Sequence, residues 1–232
     1  MINDSDRSFP TKTIKILENQ AIKYSILENK KSIGLTKSLN LGLDNIDTKY
    51  VARLDAGDVC LKNRFLEEIK TMELDSTVGL CACKSDIFSR KGSTWKVLKK
   101  SYPKKFNNYK LLIKNYLVHG AIVLRRESLI KAGNYNSNYL LAQDYELYLR
   151  FMKISKIKVL DYIGYEKYFY SNSSTVNRSL LSVKNALRAK VEQFEFSSTK
   201  QTFLRILGLI YSLIQLVWCV KNTLGRNIKN GK

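Results

Sequence analysis

The sequence is poor in the residues that build metal clusters, disulfide frameworks and rigid turns. Its 232 residues include one histidine, four cysteines and two prolines. The cysteines (Cys60, Cys81, Cys83 and Cys219) show no paired spacing, and one histidine leaves no Cys/His cluster with zinc-ligand spacing. The sequence therefore predicts free thiols in a reducing compartment.

A long apolar run is also missing. Residues 206–220 hold fifteen uncharged residues between Arg205 and Lys221, whereas a membrane span needs about 20. Three interpretations stay open for this run: a buried helix, a helix lying in the membrane plane, or a short span. The polar N-terminus MINDSDRSFP lacks the apolar segment of a secretory signal, so we expect the protein on the cytoplasmic side.

Acidic residues are few. Lys and Arg total 40 against 20 for Asp and Glu, a formal net charge of +20 that favours anionic partners. Nucleic acid is one such partner, but no helix-turn-helix, zinc-finger or RNP-type pattern supports it. Phosphorylated small molecules and an acidic membrane surface are the others. The apolar content of 44% is enough for a packed core, which excludes disorder as the main interpretation.

Helical and strand patterns alternate along the chain. Leucines at 35, 39 and 43 have a helical spacing, and YVARL follows as a strand ending at Asp55. The segment NRFLEEIKTMEL then predicts a helix, VGLCACKSDIF a strand and GAIVLRR another strand. This alternation predicts an α/β fold with a mainly parallel sheet.

The segment RLDAGD, residues 53–58, directly follows a predicted strand. Carboxylates at the end of a parallel strand lie where α/β sheets bind ligands. Asp55 and Asp58 together can hold a hard divalent cation that bridges the oxygens of a diphosphate. A solvated turn explains the same residues, because Asp and Gly are common in turns.

Asp144 stands ahead of the amphipathic segment YELYLRF. A carboxylate there can act as a general base on a hydroxyl group. It can equally cap the free N–H groups of the helix, which is a frequent role of aspartate. The residues alone leave both roles open.

Three blocks of sequence, read in order, resemble the family 2 glycosyltransferases. The blocks are GLTKSLNLGL, KYVARLDAGDVCLKNRF and HGAIVLRRESLIKAGNYNSNYLLAQDYELYLRF. The match is close to the enzymes that assemble bacterial polysaccharides, including the amylovoran-type and O-antigen glycosyltransferases. The resemblance covers roughly residues 1–175 and implies a GT-A fold and a nucleotide-sugar-dependent transferase.

The resemblance assigns roles to individual positions. Asp4 matches the acid that contacts the nucleotide base, Asn40 falls in the helix behind the donor site, and Arg53 precedes the acidic segment. Asp55 and Asp58 match the ends of the segment that binds the ribose and the metal-diphosphate unit. The third position of that segment is Gly57, where the family usually has the metal-contacting aspartate, so metal binding passes to Asp55 or Asp58.

The resemblance also implies a mechanism and its partners. Asp144 matches the catalytic base of the inverting members, which removes the proton of the acceptor hydroxyl in a single displacement. Mg²⁺ or Mn²⁺ would stabilise the departing nucleoside diphosphate. The expected partners are a nucleotide-diphospho-sugar donor, a glycan or lipid-linked acceptor and the anionic inner face of the cell membrane, and not nucleic acid.

The expected organisation is a GT-A domain over residues 1–175 and a C-terminal helical extension over 176–232. A possible membrane-associating helix covers 203–224. The family's first strand and helix precede the position of Met1, so we expect a domain incomplete at its N-terminus, with weak or no activity on its own. An inactive fragment is accordingly the alternative to an enzyme. His119 is left out of the catalytic set, because a lone histidine is more often packed or on the surface.

Overall fold

A mixed six-stranded β-sheet forms the centre of the protein. The computed structural model describes residues 1–4, 11–20, 23–91, 94–98, 106–169, 179–196 and 198–230. The strands are β1 (Ile2–Asn3), β2 (Leu27–Glu28), β3 (Tyr50–Ala52), β4 (Val59–Cys60), β5 (Val78–Lys91), β6 (Thr94–Leu98), β7 (Ile122–Arg125) and β8 (Lys156–Phe169). The helices are α1 (Thr11–Asn19), α2 (Leu35–Asp44), α3 (Arg64–Leu74), α4 (Arg126–Lys131), α5 (Gln143–Phe151), α6 (Ser179–Glu192) and α7 (Thr199–Asn230). Two short 3₁₀ turns, Asn108–Leu112 and His119–Ala121, precede β7.

The strand order of the sheet is β3-β7-β5-β8-β4, with β6 paired to the far end of β5. Strands β5 and β8 are parallel, whereas β3, β4, β6 and β7 all pair antiparallel with their neighbours. The expectation of a mainly parallel sheet therefore does not hold for the described strands, although the α/β class does. A parallel pair needs a crossover, usually a helix, and the described residues between β5 and β7 contain only a hairpin strand and 3₁₀ turns.

Side chains that alternate along β5 and β7 build the core on both faces of the sheet. Leu80 pairs with Leu124 and Ala82 with Ile122, and all four lie under α2 and α5. The next residues along these strands, Cys81 and Val123, face Met72 of α3 on the opposite side. The sheet therefore forms the middle of three layers. Burial also raises the pKa of the Cys81 and Cys83 thiols to about 12, so these cysteines are inert core residues.

One face of α7 packs against the domain. Nζ of Lys190 on α6 donates to the carbonyl oxygens of Ile113 and Gly208, at 2.6 and 2.8 Å, and to Ser212 Oγ at 2.6 Å. Arg205 on the same face of α7 donates to the Gln193 carbonyl oxygen at 2.5 Å. The run of fifteen uncharged residues is short for a span, but the helix that contains it is long and apolar enough over Thr199–Val220 to cross a membrane. Within this stretch an 18-residue window has a mean hydropathy of 1.9, and 17% of it is buried.

Gly208 sets how closely α7 approaches the domain, since a Cβ at this position would overlap the carbonyl oxygen of Leu112. In a free helix Gly208→Ala would gain about 0.5–1 kcal/mol. Here we expect it to destabilise the protein, because α7 must move away from the Lys190 contacts. Urea unfolding and limited proteolysis measure the effect. Ile214→Ala, on the exposed face of the same helix, is the control, and equal stabilities for the two variants would contradict the close packing.

Candidate active site

The acidic segment 53–58 leaves the sheet at the end of β3. The Arg53 N–H donates to the Ile122 carbonyl oxygen at 3.0 Å, and the Asp58 N–H closes a turn on Asp55 O at 3.2 Å. Gly57 lies in this turn with φ 87°, a left-handed conformation that favours glycine. The aspartate that the family has at this position would therefore be strained here. Glycine in place of the family's usual aspartate is therefore suited to the left-handed turn that this chain forms at position 57.

Asp55 is held between two cations. Its Oδ1 accepts from Arg53 Nε at 2.8 Å, and Oδ2 lies 3.5 Å from Lys167 Nζ on β8. Burial raises the pKa of the Asp55 carboxyl, but Arg53 and Lys167 outweigh burial and the pKa lies below its usual range. A quarter of the side chain is exposed. Asp55 is therefore an ionised carboxylate that a ligand can reach.

Asp58 occupies a different environment. Its Oδ2 accepts from the Tyr165 hydroxyl at 2.6 Å and its Oδ1 from the Tyr168 N–H at 2.9 Å, and only 4% of its side chain is exposed. Both oxygens thus bind the end of β8. Tyr165 is itself positioned by Gly120, because any Cβ there would overlap its hydroxyl. In this arrangement Asp58 fixes the strand that carries Lys167.

Asp144 lies in the first turn of α5, after the N-cap residue Ala142. The capping alternative is therefore wrong: the helix has no side-chain cap, and Asp144 Oδ2 instead accepts from Asn115 Nδ2 at 3.0 Å. Ala142 has φ 57°, a left-handed conformation that costs a non-glycine residue about 1–2 kcal/mol. This backbone conformation leads into the first turn of α5, where Asn115 holds one oxygen of Asp144.

His119 lies near both carboxylates, Asp55 and Asp144. The ring is buried, and its Nε2 lies 2.8 Å from the Tyr135 hydroxyl. Burial and Arg53 lower the pKa of His119 to about 4, although Asp144 and Asp55 are both close enough to raise it. Burial likewise raises the pKa of Tyr135 above its usual range, with Asp144 and Asp55 adding to the shift. At neutral pH the His119–Tyr135 pair is thus an uncharged hydrogen-bonded unit beside both carboxylates.

Asn40 holds the backbone of Tyr135, the hydrogen-bond partner of His119. Its Nδ2 donates to the Tyr135 carbonyl oxygen at 2.7 Å, and its Oδ1 accepts from the Tyr135 N–H at 3.0 Å. The prediction placed Asn40 in the helix behind the donor site, and α2 contains it. In the structure it acts on the backbone of Tyr135, and direct contact with a nucleotide sugar stays a prediction.

Asp4 organises a separate loop. Its two oxygens accept from the N–H groups of Ile33 and Gly34, at 2.7 and 2.9 Å, and from the side chains of Asn29 and Ser32, at 2.8 and 3.2 Å. Burial raises its pKa, but these hydrogen bonds outweigh burial and lower it. A carboxylate has about four acceptor positions, and all are used. The role predicted for Asp4 in binding the base stays a prediction, and it would require replacing one of these bonds.

Arg53, Asp55 and Asp144 are thus all near enough to His119 to change its pKa. Asp58, Asn40 and Asp4 instead hold neighbouring backbone. Sequence reasoning missed Lys167, Asn115 and Tyr135, for which no local pattern gives a signal. Within the described residues no group of three or more His, Cys, Asp and Glu side chains is arranged as a metal site.

An open depression of about 520 Å³ lies elsewhere, lined in part by residues of α4 and the start of β8. Its lysines are paired: Lys131 with Glu127, Lys153 with Glu195 and Lys156 with Asp75. Size alone would favour it as the site. The concentration of buried, mutually interacting titratable groups around His119 favours the acidic segment instead.

The low pKa of His119 predicts a pH dependence of stability. Because the unfolded chain binds a proton on this residue near pH 6.5 and the folded chain only near 4, the free energy of unfolding falls as the pH falls through that range. His119→Gln removes the effect. Between pH 7 and 4.5 we expect wild type to lose roughly 2–3 kcal/mol relative to the variant in urea unfolding.

Glu68 contributes an opposite pH dependence to the free energy of unfolding. This contribution is the same in wild type and His119→Gln, so it cancels when one free energy is subtracted from the other. Burial raises the pKa of Glu68 to about 7, so that its contribution to stability is lost as the pH rises. Parallel pH curves for wild type and His119→Gln would contradict the buried, neutral state of the ring.

Comparison with known proteins extends the geometric result. The chain is 34% identical over 131 residues to the amylovoran biosynthesis glycosyltransferase AmsE of Erwinia amylovora, covering 56% of this chain and 48% of the relative. It is 24% identical over 140 residues to an uncharacterized glycosyltransferase of Methanocaldococcus jannaschii, covering 59% and 47%. The chain therefore spans about half the length of these curated relatives.

Solved structures show the same fold at low identity. TarS 1–349 of S. aureus superposes with a TM-score of 0.65 at 12% identity, covering 90% of this chain and 60% of TarS. The Pyrobaculum calidifontis mannosyltransferase PcManGT, solved with GDP-Man and Mn²⁺, gives 0.63 at 12% identity, covering 95% and 65%. These likenesses confirm the GT-A fold. A family model described as glycosyl transferase family 2 matches residues 4–133, more than half of the chain, and the chain therefore belongs to that family.

Proposed function

We propose that this protein transfers a sugar from a nucleotide-diphospho-sugar to a hydroxyl group of a glycan or lipid-linked saccharide, with inversion, in the synthesis of a cell-surface polysaccharide. One observation carries the proposal: Asp55 and Asp144, which lie far apart in the sequence, are both close enough to the buried His119 ring to raise its pKa. A relative that takes part in amylovoran biosynthesis supports the pathway class. Neighbours of the same fold complexed with UDP, UDP-GlcNAc and GDP-Man support the donor class.

Asp144 is the proposed general base. Asn115 holds its Oδ2, which leaves Oδ1 available to accept the proton of the acceptor hydroxyl. As that proton moves to Asp144, the hydroxyl oxygen bonds to the anomeric carbon and the carbon–oxygen bond to the diphosphate breaks. Attack and departure on opposite faces invert the anomeric centre. No protein nucleophile is needed.

Positive charge near Asp55 stabilises the departing diphosphate. Arg53 and Lys167, which bind the Asp55 carboxylate, place two cations beside the acidic segment, and such cations would stabilise the charge of a diphosphate bound there. Asp55 also fits a Mg²⁺ or Mn²⁺ site, because Mg²⁺ is usually bound through one or two carboxylates plus substrate phosphates. When bound, such a cation would neutralise the charge that develops on the leaving group. Asp58 is the less suitable ligand of the two, because only 4% of its side chain is exposed, against 25% for Asp55, and both of its oxygens bind the end of β8.

The base assignment is tested by Asp144→Asn, which keeps the shape and the contact with Asn115 but accepts no proton. We expect sugar transfer to fall about 10²–10⁴-fold. Binding of UDP or GDP in the presence of Mn²⁺ should be unchanged. The assay measures transfer from labelled UDP-GlcNAc and GDP-Man, the donors of the structural neighbours, and then from other nucleotide sugars.

Asp47→Asn is the matched control, because the Asp47 carboxylate is fully exposed on the surface. Transfer by Asp144→Asn at wild-type rate would refute the assignment. A wild-type chain that binds nucleotide without transferring sugar would instead support the inactive-fragment alternative.

The two aspartates of the acidic segment should behave differently on substitution. Asp55→Asn should weaken Mn²⁺-dependent binding of UDP or GDP at least about tenfold. Its unfolding free energy should fall less than that of Asp58→Asn, because a quarter of the Asp55 side chain is open to water, which screens its pairs with Arg53 and Lys167. Asp58→Asn should instead lower stability by about 1–3 kcal/mol, because the hydroxyl of Tyr165 and the N–H of Tyr168 lose a charged acceptor. Calorimetric titration and urea unfolding measure both quantities. A larger loss of metal dependence in Asp58→Asn would reverse the assignment.

A further inference from the structure

The exposed face of α7 carries an unusual density of large apolar side chains. Between 36% and 69% of the surface of each is open to solvent. They are Phe203, Ile206, Leu207, Ile210, Leu213, Ile214, Val217, Trp218 and Val220. Their spacing of three and four residues places most of them along one side of the helix. An exposed apolar surface of this extent marks an interaction site.

The opposite side of α7 is fixed to the domain. Buried residues recur there at helical spacing, at Arg205, Ser212 and Cys219, with Gly208 against the Leu112 carbonyl group. Lys190 binds this side through Gly208 O and Ser212 Oγ, so that removing α7 from the domain would leave a buried ammonium group without these acceptors. The helix is therefore neither enclosed by protein nor free to leave it. Of the three interpretations of the apolar run, an in-plane helix fits both faces.

The charge of the C-terminal segment indicates which partner covers the exposed apolar face of α7. The last acidic residue of the sequence is Glu195, and the 37 residues that follow contain six Lys and Arg. A second copy of the chain, also with a net charge of +20, would be repelled by such a segment, whereas an anionic lipid surface attracts it. Trp218 adds an aromatic side chain of the kind that sits at headgroup level.

We propose that α7 lies in the plane of an anionic membrane, with the face formed by Phe203, Ile210, Ile214 and Val217 inserted among the lipids and the opposite face holding the catalytic domain. The inner leaflet of the cell membrane has this anionic chemistry. Such docking also brings the site near lipid-linked acceptors. Lys190, which binds α7, lies over the ring of Tyr145, and Tyr145 follows Asp144 in α5.

Vesicle flotation of the full chain tests the proposal without any assay of sugar transfer, so its failure is separable from that of the proposed function. Wild type should float with vesicles of phosphatidylcholine and phosphatidylglycerol, and should be released by an alkaline carbonate wash. Ile214→Glu/Val217→Glu should lower partitioning at least about tenfold. Leu66→Glu/Leu74→Glu on α3 is the control, with the same charge change at side chains that are 63% and 80% exposed.

A spectroscopic measurement reports insertion directly. In Trp95→Phe protein the remaining tryptophan is Trp218, and its emission should shift to shorter wavelength on addition of the anionic vesicles. Four outcomes would overturn the proposal: no flotation, equal losses in the two double variants, resistance to the carbonate wash, which indicates a span, or a dimer in solution that Ile214→Glu/Val217→Glu dissociates.

Discussion

A buried guanidinium group, that of Arg64, holds together the strand ends on which the site depends. It donates to the carbonyl oxygens of Arg53 and Ile122, at 3.2 and 3.1 Å, and pairs with Glu68 at 3.1 Å. Neither side chain of the pair is exposed to solvent. Burying an ion pair seldom adds stability, but removing one partner is costly. Arg64 therefore contributes to the position of the backbone more than to stability. It joins β3, β7 and α3 at the start of the acidic segment.

The position of β3 then determines which carboxylates are available. With Arg53 fixed, the turn through Gly57 directs Asp58 inward to Tyr165 and Tyr168, and leaves Asp55 toward solvent. Because Asp58 ties down the end of β8, Lys167 on that strand reaches Asp55. A single acidic motif thus divides into one structural and one accessible carboxylate. The division follows from contacts between residues more than 100 positions apart.

This distance explains what the sequence could and could not predict. Local patterns predicted α2, α3 and the strand before Asp55, because hydrophobic periodicity reports burial directly. The same patterns could not show that Asp58 is engaged by Tyr165, nor that β7 returns antiparallel. A lone histidine is more often packed or on the surface than catalytic, and His119 is indeed packed. What makes it part of the site is the pair of carboxylates beside it, which no pattern in HGAIVLRR indicates.

The helices at the C-terminus show the same dependence on one buried cation. Burial lowers the pKa of Lys190 to about 8, and its acceptors are two carbonyl oxygens and a hydroxyl group, none of them charged. An ammonium group in such a place is stabilised only when all three acceptors are present, and they belong to α7 and to the residue after the first 3₁₀ turn. Lys190 therefore requires α7 to be docked in the folded state. Because the lysine also lies over Tyr145, the helix that carries Asp144 and the apolar face of α7 belong to one packed unit. The carboxylate proposed as the general base and the surface proposed to meet the lipid are thereby held in a defined relation.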